Sequence, residues 1–286
     1  MNGAMSIATA DLSQIFARKI AEKQLQLPTM PGTAAEVMNL CQQEDTDAAK
    51  LSSVIHNDQT IASNVLRVAN SAAYVGQVPC TSLQQAVSRL GLQLITEIAM
   101  AISVRGRMFG NPACAELLSE LWNHSVLCGF FTKEIARMRR RNVETAFMCG
   151  LLHDIGKAVL LDSIDRLVGK RALRIGVPEL LGAVEDQHLA AGKMLAVEWQ
   201  LPDQIGEAIE FHHDWQKATS FQEMAMSVCL ADRIANHVVP SQFYDQTSLD
   251  ELQIHPVLAG LNMYSDQLDE LLGLSERALL VTEGMR

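Results

Sequence analysis

The chain has 286 residues, 48% hydrophobic and 20% charged, a balance that excludes a disordered or fibrous protein. Asp and Glu number 33 against 23 Lys and Arg, and the resulting formal charge of −10 opposes broad binding along a nucleic-acid backbone. Six cysteines, at 41, 80, 114, 128, 149 and 229, include no C-x-x-C pair and read as small buried thiols of a reducing compartment.

Strand signals are scarce and helical periodicity runs through the chain. Thr33 with Glu36 reads as a capping box leading into Val37, Leu40 and Cys41. Asp58 is expected to cap a helix whose apolar stripe is Ile61, Val65, Val68, Ala69 and Ala72. Gly76 to Pro79 reads as a loop. Thr81 with Gln84 then opens a helix along Leu83, Ala86, Val87 and Leu90, which Gly91 ends, and Ile95, Ile98, Ala99 and Ile102 continue on the next one. Breaks follow at Gly110-Asn111-Pro112, near Gly176 to Pro178, at Leu201-Pro202 and from Pro240 to Ser248; a short helix is expected from Ser265 to Leu272. The fold class is all-α. The longest apolar stretches, such as Ile98 to Val104, fall short of the ~20 residues of a membrane span, and the N-terminus lacks a secretory pattern. The expectation is a soluble cytoplasmic protein with no membrane contact.

Several helices carry polar residues where apolar ones belong. His124 lies within the stripe Leu117, Leu121, Cys128, Phe131 and Ile135, and His188 shares a face with Gly192, Leu195 and Trp199. His212 follows Ile205, Ala208 and Ile209, with His213 beside it, and Asp232 lies between Val228 and Ala235. His153-Asp154 ends the apolar run Phe147 to Leu152 and precedes Gly156-Lys157. Singly, each histidine reads as a core residue bonded to a backbone carbonyl, and Asp232 as a cap or a partner of a basic side chain. As a set they carry chemistry, because burying an unpaired carboxylate is costly. Neutral imidazole with carboxylate suits a divalent transition metal (Fe, Mn, Ni, Co or Zn), as one ion or two. Asp154 would bridge two ions, a bound water would become the nucleophile, and Lys157 would neutralise a substrate phosphate. The basic cluster Arg137, Arg139, Arg140 and Arg141 reads as a solvated helix C-terminus, or more sharply as a docking patch for an acidic or phosphorylated partner.

The order His124, His153-Asp154, Asp232 resembles the H…HD…D pattern of the HD-domain metal-dependent phosphohydrolase superfamily. His188 and the His212-His213 pair are similar to its binuclear HD-GYP branch, where a residue at the position of Glu120 can supply an extra carboxylate ligand. The Gly-Tyr-Pro that names that branch is missing after His213. The HDOD family, a group of HD-related output modules of bacterial signalling proteins, fits better. Leu27-Pro28-Thr-Met-Pro31, Ile55-His-Asn-Asp58, Leu66-Arg-Val-Ala-Asn70-Ser71, Ala86-Val-Ser-Arg-Leu-Gly91, Gly150-Leu-Leu-His-Asp-Ile-Gly-Lys157 and Trp199-Gln-Leu-Pro202 resemble it in order.

The resemblance implies a two-lobed helical architecture over residues 20–240. An N-terminal helical bundle (20–112) would pack on an HD-like lobe (113–240), followed by a helical extension (241–286). It implies metal ligation by His124, His153, Asp154 and Asp232, and by Asp154 with His188, His212 and His213, with Glu120 as an optional addition. It also implies a bacterial signalling module that binds a protein partner or a nucleotide messenger. The alternative is a binuclear phosphohydrolase or phosphodiesterase, in which Asp154 and Lys157 would be catalytic.

Overall fold

The computed structural model describes residues 9–41, 48–74, 76, 78–168 and 175–286, and among these the chain forms helices and no strand. Gln77 of the expected loop and the side chain of Cys41 lie outside the described residues. The first helices are α1 (Thr9–Ala21), α2 (Gly32–Cys41), α3 (Ala48–Asn57), α4 (Gln59–Ala69) and α5 (Leu83–Met108). The next are α6 (Ala115–Met138), α7 (Val143–Leu152), α8 (Ile155–Val168), α9 (Val177–Glu198), α10 (Asp203–Phe211) and α11 (Gln222–Val238). Four short helices close the chain: α12 (Leu249–Ile254), α13 (Pro256–Gly260), α14 (Ser265–Leu272) and α15 (Ser275–Gly284).

Helices α2 to α5 pack mainly on one another, and α6 to α11 form a second group around α6 and α7. α1 packs along α9, so the start of the chain joins the second group and not its sequence neighbours. Its Ser13 hydroxyl accepts a hydrogen bond from Gln187 Nε2 at 3.1 Å. Two motifs distant in sequence meet where Trp199 Nε1 donates to the Pro28 carbonyl at 2.8 Å. Between the groups, buried Lys133 of α6 pairs with buried Glu97 of α5 at 2.6 Å.

Local signals are met with small shifts. Asp58 caps α4, its Oδ1 accepting from Thr60 N and Ile61 N, an arrangement worth about 1 kcal/mol. α2 starts at Gly32, so Thr33 sits inside the helix, and its hydroxyl reaches Asp58 Oδ2 at 3.2 Å. Ser82 caps α5 in place of Thr81, while Thr81 N donates to Gln85 Oε1. Gly91, at φ 76°, kinks α5 where the sequence reading ends one helix and starts another. Asn70 accepts from Cys80 N and donates to the Cys80 carbonyl, which pins the connection after α4. By length and composition α5 passes for a membrane span, yet half of its most apolar stretch is buried against neighbouring helices, as in a core helix.

Leu252, Leu268, Ala278 and Val281 of residues 241–286 join the same hydrophobic core as the preceding helices. α15 packs on α6 and α4, and Trp122 Nε1 donates to the Met285 carbonyl at 3.2 Å. Arg139 and Arg141 both bind Glu223 at 2.7 Å, which clamps the α6–α7 turn to α11, and Arg137 pairs with Glu134. Cys80, Cys114, Cys128, Cys149 and Cys229 are buried.

Candidate metal centre

The centre is built on two close helix crossings. A Cβ on Gly150 would lie 2.6 Å from the Cys128 carbonyl and 2.7 Å from Gly129 Cα, so only glycine lets α7 cross α6 this tightly. A Cβ on Gly156 would lie 1.9 Å from the His188 carbonyl and 2.7 Å from Gly192 N, which sets α8 against α9. Between these crossings His153 and Asp154 form the turn from α7 to α8. Asp154 therefore faces His153 on one side and His188 and His212 on the other.

Seven of the residues that the sequence reading marks come together. Ligand atoms of Asp154, His188, His212 and His213 lie within 4.8 Å of one another, as do those of His124, His153 and Asp232. Asp154 touches both groups, with Oδ1 3.3 Å from His188 Nε2 and 3.5 Å from His212 Nε2, and Oδ2 3.3 Å from His153 Nε2. His124 Nε2 lies 3.1 Å from Asp232 Oδ1. Ligands of one ion stand roughly 3–3.5 Å apart when each is ~2.1 Å from it, so these spacings are those of a coordination polyhedron.

The histidines are oriented from behind. Nδ1 of His153 donates to the Gly150 carbonyl at 2.7 Å, Nδ1 of His188 to the Glu185 carbonyl at 2.7 Å, and Nδ1 of His212 to the Ile209 carbonyl at 3.0 Å. With the proton held on Nδ1, each Nε2 turns a lone pair inward. Nε2 of His124, His153, His188 and His212 and Oδ1 of Asp154 are buried and make no hydrogen bond. Four imidazole nitrogens and a carboxylate oxygen buried without hydrogen bonds in a common space are unfavourable unless a cation lies among them. The donor set fits a divalent ion in either group.

Electrostatics prepare the same state at three of the histidines. Burial pushes His188 down to about 4 and His213 down to about 3, and it lowers His124, so these imidazoles stay neutral. Burial would raise Asp154, but the Lys157 ammonium beside it holds it well below the usual carboxylate range. The metal-free protein should accordingly lose stability as pH falls from 6.5 to about 4: histidines of the unfolded chain take up protons in that window, and folded His188 does not. Urea midpoints measured in excess chelator across that window check this. A midpoint that is flat or rises toward pH 4 contradicts it.

Two placements differ from the sequence reading, and a third adds a neighbour to it. Glu120 is not among the converging groups: its carboxylate accepts from Ser241 Oγ at 3.3 Å, Gln242 N at 3.1 Å and Gln242 Nε2 at 2.9 Å. One helical turn from His124 was the right helix face, but loop donors satisfy both oxygens. Lys157 is fully buried, with Nζ 2.9 Å from both Asp154 Oδ2 and Glu185 Oε2, so its charge answers two carboxylates of the protein before any phosphate. His213 is a third exposed and also faces Glu185, at 3.6 Å.

Two further residues enter. Glu185 lies three residues before His188 on α9, a spacing that could have marked it. Tyr244 comes from the connection between α11 and α12, where no periodicity signals it. Its hydroxyl donates to Asp154 Oδ2, its ring stacks on His124 at 4.0 Å, and Lys157 Nζ lies 4.2 Å from the ring centroid. A small cavity of about 140 Å³ adjoins the centre at His213 and Asp232.

The HDOD domain family matches residues 27–215. A protein of Treponema pallidum (strain Nichols), itself of unassigned function, is 23% identical over 240 residues, which is 81% of this chain. The chain spans about half of that relative, 46% of its length. Among solved structures, a candidate metal-dependent phosphohydrolase from Shewanella amazonensis SB2B superposes with a TM-score of 0.71 at 19% identity, over 97% of this chain and 99% of the other. An HDOD domain protein of unknown function from Geobacter sulfurreducens gives 0.70 at 19% identity, over 97% and 99%. A candidate signal transduction protein from Marinobacter aquaeolei VT8 also gives 0.70 at 19%, over 97% of this chain and 66% of that protein. These likenesses establish a shared fold.

Proposed function

The chain belongs to the HDOD family, and on that premise we propose that it is a signalling module that carries a divalent-metal centre and acts by binding a partner. The observation that carries the metal is the set of buried, unpaired Nε2 atoms around Asp154. His124, His153, Asp154 and Asp232 would hold one ion, and Asp154, His188, His212 and His213 a second. When bound, the ions would supply Lewis-acid polarisation of a phosphate or a water.

A regulatory rather than a catalytic use is supported by how the chain encloses this centre. Tyr244 covers the His124 side, Lys157 is held between Asp154 and Glu185, and the adjoining cavity of about 140 Å³ is smaller than the ~300 Å³ at which ligand sites begin. A larger cavity of about 350 Å³ lies where α5 meets α7 and the start of α10, lined by Glu97, Glu144, Asn142, Gln204, Met100 and Phe147 among others, with no Lys, Arg or His among the described lining residues. Glu97 is paired with Lys133, but the Glu144 carboxylate and the lack of a cation among the described lining residues disfavour a phosphate-bearing messenger there, so a protein partner is the better match of the two. The second reading, a metal-dependent phosphohydrolase, is favoured by one observation: the ligand set is complete and Lys157 adjoins the carboxylate shared by both groups.

Elemental analysis paired with turnover assays tests these readings. The expected result is bound divalent metal with no hydrolysis of cyclic nucleotides, nucleotides or simple phosphate esters. Turnover that disappears in Asp154→Ala while the fold persists replaces the regulatory reading with the second. A wild type free of metal after growth and reconstitution overturns the metal centre.

A further inference from the structure

We infer that Tyr244 belongs to the metal centre as its cap, and that Glu120 is the latch that holds the cap in place; this rests on the metal reading above. Tyr244 lies outside the matched family region, on the connection between Val238 and Leu249. It engages the centre by three contacts: a hydrogen bond to Asp154 Oδ2, the 4.0 Å stack on His124 with ring planes 24° apart, and Lys157 Nζ 4.2 Å from its ring centroid. One residue thus touches the shared carboxylate, a ligand of the first group and the lysine that offsets their charge.

The segment that carries the cap is tied at both ends. His237 Nδ1 donates to the Thr247 carbonyl at 2.9 Å on the α12 side. On the other side Glu120 takes three hydrogen bonds from Ser241 and Gln242, at 2.9 to 3.3 Å. Glu120 and His124 lie one turn apart on α6, so the latch sets the cap in register with the ligand it covers. The remaining opening beside His213 and Asp232, about 140 Å³, admits water or a small anion but is below the size of a nucleotide site. A nucleotide-sized group reaches the centre only when residues 239–248 lift, and a partner that pulled Ser241 and Gln242 from Glu120 would expose the ions.

The test is release of Co(II) from the loaded full chain to excess EDTA, compared across wild type, Tyr244→Phe, Tyr244→Ala and Glu120→Ala. Each variant should load as much Co(II) per chain as wild type. Tyr244→Ala should release it about 10-fold faster or more, the range for losing an outer-sphere partner. Tyr244→Phe, which keeps the ring, should fall between, and Glu120→Ala should speed release although it touches no ligand. Unchanged release in all three variants, with wild-type loading intact, overturns the cap. Reduced Co(II) content in Tyr244→Phe also overturns it, because the hydroxyl is then a ligand itself. A wild type that takes up no Co(II) overturns the metal reading, and the cap with it.

Discussion

Asp154→Ala should empty the protein of divalent metal and destabilise the metal-free fold by about 3–5 kcal/mol, the range for removing one partner of a buried ion pair. Asp154 places Oδ1 near His188 and His212 and Oδ2 near His153, Lys157 and Tyr244, so both ligand groups lose a member at once. Lys157, with no exposed surface, keeps only Glu185, whose side chain is about half exposed and holds the charge less well. The two effects separate in Asp154→Asn, which keeps the volume and a hydrogen-bonding oxygen but lacks the charge that attracts metal. That variant should also lose metal, with a smaller drop in stability. Elemental analysis and urea unfolding with and without chelator read both quantities. Wild-type metal content in Asp154→Ala would show that the ligand assignment is wrong.

Gly156→Ala should cost about 3 kcal/mol or more and weaken metal binding, although it adds only a methyl group. The added carbon would stand 1.9 Å from the His188 carbonyl and 2.7 Å from Gly192 N, both main-chain atoms, so α8 and α9 must separate. Separation carries His188 away from Asp154. The same exchange at Gly206, inside α10 with nothing within 4 Å of the new carbon, should instead stabilise the protein by about 0.5–1 kcal/mol through helix propensity. Thermal and urea unfolding of the pair provide the comparison. Equal effects at the two positions would mean that the close approach of α8 and α9 does not constrain the fold.

These two residues also mark what could be read from the chain alone. Gly156 stands inside Gly150-Leu-Leu-His-Asp-Ile-Gly-Lys157, which the sequence reading matched as a motif without seeing that its two glycines serve two different crossings. The histidines were legible for a simpler reason. A helix repeats every 3.6 residues, so His124, His188 and His212 fall visibly on apolar stripes, and a carboxylate such as Asp232 on such a stripe needs a compensating charge. By the same rule the all-α class, the Asp58 cap, the Gly91 kink and the short helix from Ser265 to Leu272 could be taken from local pattern.

Local pattern states that a face is buried and leaves open what it is buried against. That choice belongs to packing between residues far apart in sequence, where volumes and main-chain approaches decide which helices meet. It determined that α1 lies on α9, that Lys157 answers Glu185 as well as Asp154, and that the arginines after α6 bind Glu223. It also turned Glu120 from an optional ligand to the anchor of Ser241 and Gln242, and brought Tyr244 from an irregular connection onto Asp154. The sequence by itself determined which polar residues fall on buried helix faces. The tertiary structure decided how their lone pairs converge and what covers them, because both depend on distances across the fold that no helical period encodes.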